Sequence, residues 1–229
     1  MKLLIDTDTI LYKGLFVCEG YFAGLRACDN IIYNILDHFD NPPFELVLTG
    51  ENNFRKKIYP QYKANRKPES RPRYLYDAKR YYLKYWGAVL TDGEEADDYI
   101  ARNSDGAIIV ADDKDYLQTG TPIFNPRKWE LLEGYDPYYY FWLQCLTGDH
   151  VDNVPGLPNP AKAHWAKPPC FTDTTAPPLL EGKSKDEMKQ TVLDLYREVY
   201  GERAFEEFDL RARLLFLRRK DHKDYSSWI

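Results

Sequence analysis

The hydrophobic pattern begins with a short unbroken apolar run, KLLID at 2–6, that stops on an aspartate. A run of this length without polar alternation suits a strand buried on both faces. Helical spacing follows: Ile10, Leu11 and Leu15 recur at one helix face, and a second such stretch runs from Ile31 to Phe39. FELVL at 44–48, GAVL at 87–90 and GAIIVA at 106–111 read as further strands. Residues 75–86 carry helical spacing. EADDYIARN at 95–103 opens with acids in its first turn, where the helix dipole favours them. Strands alternating with helices predict an α/β fold, a mostly parallel central sheet with helices on both faces. In such sheets sites lie beyond the carboxyl ends of the strands, which is where Asp6 and Asp113 fall.

Seven prolines between 155 and 178 mark an irregular connection, and two amphipathic helices follow it. These are KDEMKQTVLDLYREVYG, closed by Gly201, and FDLRARLLFLRRK. The chain shows no internal repeat. At 229 residues it can bury one sizeable core with a smaller helical lobe.

Composition adds little except in two respects. No apolar run approaches the roughly 18 residues that span a bilayer, and aspartates interrupt the N-terminal MKLLIDTDTILYKG, so neither membrane nor secretion is expected. Cys18, Cys28, Cys145 and Cys170 lack CxxC spacing and read as reduced thiols of a cytoplasmic protein. Charge changes the picture more. The net charge is −5, yet residues 51–90 hold eleven Lys/Arg against Glu51, Glu69 and Asp77. That window is +8 and the remainder −13. Such segregation suits a polyanion on the basic segment and metal cations at an acidic site elsewhere.

The acids fall in four stations: Asp6; Glu95, Asp97 and Asp98; Asp113 and Asp115; Asp149 and Asp152. Magnesium takes hard oxygen ligands and is usually held by few carboxylates plus water and phosphate. A two-metal phosphodiesterase needs acids converging from several elements. Glu95 and Asp98 are three apart and share a helix face. Each station alone also has a structural reading, as capping acids, a solvated turn or an Asx-rich loop. Asp8, Asp92 and Asp112 stay on that side.

The wording around the acids resembles the 5′-nuclease superfamily of flap endonucleases and 5′→3′ exonucleases, particularly the small stand-alone bacteriophage enzymes. LLIDTDTILYKG matches the strand ending in Asp, NFRKKIYPQYKANR the arginine-led segment ending in YKxNR, and Glu95-Ala96-Asp97-Asp98 the EADD motif. DKDYLQ at 113–118 and GDHVDNVPG at 148–156 match DxDxxQ and GDxxDNxPG. The five stand in order over residues 3–160.

The resemblance implies a PIN-like 5′-nuclease fold with a core at 1–145, a basic helical arch at about 51–85, and a helical DNA-binding region at 146–229. It implies a first Mg2+ among Asp6, Glu95, Asp97, Asp98 and Asp113. A second would sit among Asp115, Asp149 and Asp152, with Asp113 between the two and Mn2+ able to substitute. Lys63 and Arg66 would face the scissile phosphate and, with Asp113, form the catalytic set. Arg55, Tyr62, Lys63, Arg66, Lys67 and Lys162 would contact DNA, Tyr62 by stacking on a base, a contact worth about 1–3 kcal/mol. The implied substrates are DNA with 5′ ends, flaps or nicks, and RNA–DNA hybrid in primer removal. Replication proteins are implied partners, and the location is the cytoplasm, that of the host cell for a viral protein. Lys114, Asn153, Trp86 and His150 carry plainer readings: turn completion, loop shaping, core packing and solvent exposure.

Two departures stand out. The family commonly ends its second strand on an aspartate, where this chain reads Val47-Leu48-Thr49-Gly50-Glu51. The glycine-rich hairpin that holds duplex and a monovalent cation is replaced by LPNPAKAHW, so the expected K+ near the 153–163 loop has fewer glycines to admit it. The alternatives are a PIN-like ribonuclease, against which the YKANR and GDHVDNVPG motifs argue, and a non-catalytic structure-specific DNA-binding relative.

Overall fold

In the computed structural model, residues 1–162, 168–218 and 224–228 are described. The elements run β1 (Lys2–Asp6), α1 (Thr7–Phe16), α2 (Tyr21–His38), β2 (Phe44–Leu48), α3 (Phe54–Ile58) and α4 (Leu75–Tyr81). Then come β3 (Val89–Leu90), α5 (Ala96–Arg102), β4 (Ala107–Val110), β5 (Ile123–Asn125) and β6 (Glu130–Leu132). They close with α6 (Pro137–Thr147), α7 (Pro177–Leu180), α8 (Lys185–Tyr200) and α9 (Ala204–Leu215). The stretch expected as one helix over 75–86 is α4 followed by a π-helical turn, Tyr82–Trp86, which Gly87 ends in the left-handed region at φ 65°.

The described residues group into two units. One holds Met1–Phe54, Lys67–Tyr135, Leu217 and Arg218; the other holds Arg55–Arg66, Asp136–Phe216 and Asp224–Trp228. In the first, a six-stranded sheet has the order β3-β2-β1-β4-β5-β6. All pairs are parallel except β5 with β6. The apolar runs of β1 and β4 are buried on both faces. Leu3, Ile5, Ile108 and Val110 pack with Ile10, Leu11 and Ile32 of α1 and α2. Leu4 and Ile109 pack with Ala96, Ile100 and Ala101 of α5. The strand order reverses between β1 and β4, and open α/β sheets bind ligands at such a point. β5 and β6 were missed by the hydrophobic pattern because each is only three residues long between turn residues.

The second unit is helical. Asp136 caps α6 and Pro137 occupies its first turn, the favoured start for a helix. Trp142 of α6 stacks on Phe208 of α9 with ring centroids 5.7 Å apart, and the Tyr196 hydroxyl of α8 donates to the Cys145 carbonyl at 2.6 Å. α8 spans the expected 185–200 and ends at Gly201. α9 begins at Ala204, earlier than its pattern suggested, and stops at Leu215; the pattern's last residues, 219–220, lie outside the described residues. No helix among the described residues is long and apolar enough to cross a membrane.

Candidate active site

In the first unit the acids stand where strands end and helical turns begin. Asp6 closes β1 and caps α1, its Oδ2 accepting from the Thr9 hydroxyl at 2.9 Å. Asp113 follows β4 and accepts from the Asp115 N–H at 2.9 Å, opening the 3-10 turn Lys114–Gln118. Glu95 precedes α5, and Asp98 Oδ2 accepts from the Glu95 N–H at 3.3 Å. Capping and the shared placement of carboxylates are thus one arrangement, since exposed N–H groups at helix starts favour anions.

The electrostatics tie these stations together. Burial, then the negative charges of Asp8 and Asp113, push the Asp6 carboxyl up to about 7. The Tyr116 hydroxyl donates to Asp97 Oδ1 at 2.9 Å. Its ionisation is pushed far up by burial and by Asp97, Asp6 and Asp113. Negative charge from three stations therefore bears on one buried phenol. Among the described residues no three His, Cys, Asp or Glu side chains converge as a ready ligand set. Asp6, Asp97, Asp98 and Asp113 each accept from a protein donor. Magnesium is usually held by few direct carboxylates, with water and phosphate completing its shell. An all-oxygen donor set with excess negative charge fits a hard divalent ion.

In the second unit the YKANR and GDHVDN segments interlock. Asp152 Oδ2 accepts from the Tyr62 hydroxyl at 2.6 Å and lies 3.3 Å from Lys63 Nζ. Its Oδ1 lies 2.6 Å from the Arg66 guanidinium. The Lys63 N–H donates to the Asp152 carbonyl at 2.9 Å, Asn65 Nδ2 to the His150 carbonyl at 2.9 Å, and Asn153 Nδ2 to the Gln61 carbonyl at 2.7 Å. Asp149 Oδ1 accepts from the N–H groups of Val151 and Asp152 at 2.7 and 3.1 Å. The motif's glycines have a steric cause. A Cβ at Gly148, where φ is +67°, would lie 2.4 Å from the Val154 carbonyl, and one at Gly156 would lie 2.5 Å from the Thr147 carbonyl.

Two expected DNA contacts change character. Arg55 is 2% exposed and donates to the Leu214 and Phe216 carbonyls at 2.8 and 3.0 Å. It satisfies carbonyls that the end of α9 leaves open, and its guanidinium is withdrawn from phosphate. Tyr62 is 3% exposed and packs with Val154, Leu214 and Leu215, so its ring is no stacking platform; it is a strut beneath Asp152. Arg66, Lys67 and Lys162 are exposed and Lys63 is half-buried. Asp115 is half-buried beside Asp113. Residues 163–167, the end of the loop expected to hold K+, lie outside the described residues. Asp8 pairs with Lys79, and Asp112 with Arg127.

The motifs also serve the segment after α9, a role that sequence reading missed. Gln118 Oε1 accepts from the Leu217 N–H at 3.2 Å, and Asp98 Oδ1 from the Arg218 N–H at 3.2 Å. Arg211, buried on α9, donates to the Pro155 carbonyl of GDHVDNVPG at 3.0 Å. A basic residue on an otherwise apolar helix face was the only signal available for it.

No protein-family model matches the chain. A 5′-3′ exonuclease of Buchnera aphidicola subsp. Schizaphis graminum is 26% identical over 188 residues, covering 68% of this chain and 65% of that protein. DNA polymerase I of Rhizobium leguminosarum is 35% identical over 130 residues, covering 46% of this chain and 12% of the polymerase. The chain thus spans less than two thirds of either relative. Among solved structures, the bacteriophage T5 D15 flap endonuclease, a variant in complex with DNA and metal ions, aligns with TM-score 0.58 at 14% identity. The alignment covers 93% of this chain and 98% of that one. The T5 5′-exonuclease with bound zinc aligns equally well, at TM-score 0.58 over 94% of this chain and all of that one. The α/β fold expected from the sequence is the one these proteins share.

Proposed function

We propose that this chain, a relative of the 5′-nuclease superfamily, is a metal-dependent, structure-specific nuclease that hydrolyses DNA phosphodiester bonds at or near 5′ ends. The observation that carries the reading is that Asp6 and Asp113 stand at and just beyond the carboxyl ends of β1 and β4, the neighbouring strands between which the sheet order reverses, with Tyr116 of the Asp113 turn donating to Asp97 at 2.9 Å. With Glu95 and Asp98 these aspartates would hold a divalent ion, Mg2+ by the hardness of the donors, with Mn2+ able to substitute. Such an ion supplies an activated water and offsets charge on the phosphoryl oxygens. Assignment of a second ion to Asp115, Asp149 and Asp152 rests on the wording of the motifs.

The chain's own residues supply the rest. Lys63 and Arg66 carry cations that would orient the scissile phosphate and offset charge growing on it. Their hold on Asp152 fixes both side chains before substrate arrives. Lys67 and Lys162 are exposed for backbone phosphates, and the basic window over 51–85 would form the arch. Finer roles follow the same reading: 5′→3′ exonuclease and flap endonuclease activity, removal of RNA primers, work beside replication proteins, and a cytoplasmic location. The test uses 5′-labelled flap, nicked, blunt and single-stranded substrates bearing DNA or RNA 5′ ends. Magnesium-dependent shortening of flap or nicked DNA is expected. Inactivity on every substrate with both magnesium and manganese would overturn the proposal, and cleavage confined to RNA would favour the ribonuclease.

A further inference from the structure

At the end of β2, where the sequence lacks an aspartate, Thr49 uses all of its polar groups on three different elements. Its N–H donates to Asp8 Oδ2 at 2.7 Å, in the first turn of α1. Its carbonyl accepts from Lys79 Nζ of α4 at 2.7 Å. Its hydroxyl accepts from the Ala96 N–H at 3.0 Å, at the first position of α5. Lys79 closes the circuit by pairing with Asp8 Oδ1 at 2.6 Å. Helices leave their first N–H groups without intrahelical partners. Here one is satisfied from a neighbouring strand, immediately beside Glu95, Asp97 and Asp98.

We infer that Thr49, Lys79 and Asp8 form a positioning lock, which fixes the acidic first turn of α5 against the ends of β1 and β2 without donating a ligand. This rests on the metal-site reading above. The lock replaces a strand-end carboxylate by a hydroxyl and an ion pair. The local acids then keep their geometry while the Lys79 charge offsets that of Asp8. Thr49 needs its hydroxyl as acceptor and Lys79 needs its ammonium as donor. Loss of either should loosen the ligand set rather than remove a ligand. Partners of this kind typically change metal affinity by about 10–100-fold.

The experiment titrates Mn2+ into the DNA-free protein by electron paramagnetic resonance. It is paired with cleavage rates against metal concentration and with DNA affinity in EDTA. Thr49→Val should weaken Mn2+ binding by about tenfold and raise the half-saturating metal concentration equally. The rate at saturating metal and the metal-free DNA affinity should stay within about twofold. Thr49→Ser should restore wild-type binding. Lys79→Met, which leaves the Thr49 cap in place, should give a shift in the same direction and serves if Thr49→Val fails to fold. Unchanged Mn2+ affinity in both Thr49→Val and Lys79→Met, with only the melting temperature lowered, would overturn the lock alone. A wild-type protein that binds no Mn2+ would overturn the metal reading and the lock together.

Discussion

Replacing Arg55 by alanine separates two readings of one arginine. The guanidinium donates to the Leu214 and Phe216 carbonyls at 2.8 and 3.0 Å from a side chain that is 2% exposed. Each charged hydrogen bond contributes about 1.5–3 kcal/mol, and each buried carbonyl left without a donor costs about 1–3 kcal/mol. These overlap and are not additive, and the void left by a large side chain adds to them. A loss of about 3–5 kcal/mol is therefore expected for Arg55→Ala. Urea unfolding measures it directly. At about 1–3 kcal/mol per molar for the denaturant dependence, the midpoint should fall by at least about 1 M. Arg55→Lys should restore little stability, because one ammonium cannot reproduce the two-carbonyl fork. DNA affinity measured against salt should keep its slope, since loss of a phosphate contact would reduce that slope by about one. A stable Arg55→Ala protein with a reduced salt slope, rescued by lysine, would refute the structural account and return Arg55 to the DNA interface.

Three further outcomes follow from the geometry. Tyr62→Phe keeps the ring and removes only the hydroxyl that donates to Asp152 at 2.6 Å; stability should drop by about 1–2 kcal/mol, and an unchanged stability would contradict its role as a strut. Gly148→Ala places a Cβ 2.4 Å from the Val154 carbonyl at φ +67°. Strain and overpacking together should cost about 2–5 kcal/mol in thermal unfolding, and a neutral effect would show the loop to be looser than described. Asp6 is held at about 7 against an ordinary 3.8, so the folded form binds its proton more tightly than the unfolded chain. That stabilisation is complete below about pH 4 and is lost as pH rises through 7, at up to about 1.4 kcal/mol per pH unit. In EDTA, Asp6→Asn should flatten the slope between pH 5 and 7; an unchanged slope would contradict the assignment.

What the sequence could disclose was set by the range of each interaction. β1 and β4 were legible because burial on both faces leaves an unbroken apolar run, and the acids that end them follow directly. The start of α5 was legible because capping acids and candidate ligands coincide there. Arg55 and Tyr62 were expected at DNA from a motif match and from tyrosines interleaved with basic residues, a pattern that carries no mark of burial. The carbonyls that bury Arg55 lie 159 and 161 positions along the chain. Thr49 looked like a gap for the same reason, its partners Asp8, Lys79 and Ala96 being 41, 30 and 47 positions away. The π-helical turn at Tyr82–Trp86 kept a helical apolar spacing and so left no mark in the pattern.

The most direct test of the central claim compares wild type with Asp113→Asn on a 5′-labelled DNA flap across a magnesium titration, with binding measured on the same substrate. Asp113 contributes to the charge around Asp6 and Tyr116 without being deeply buried. An isosteric amide should therefore spare folding and DNA affinity. Wild type is expected to cleave with saturable magnesium dependence, and the variant to bind equally while losing at least about a hundredfold in rate, or about 2.7 kcal/mol of barrier. Equal cleavage by the two proteins, or cleavage that persists in EDTA, would contradict the account.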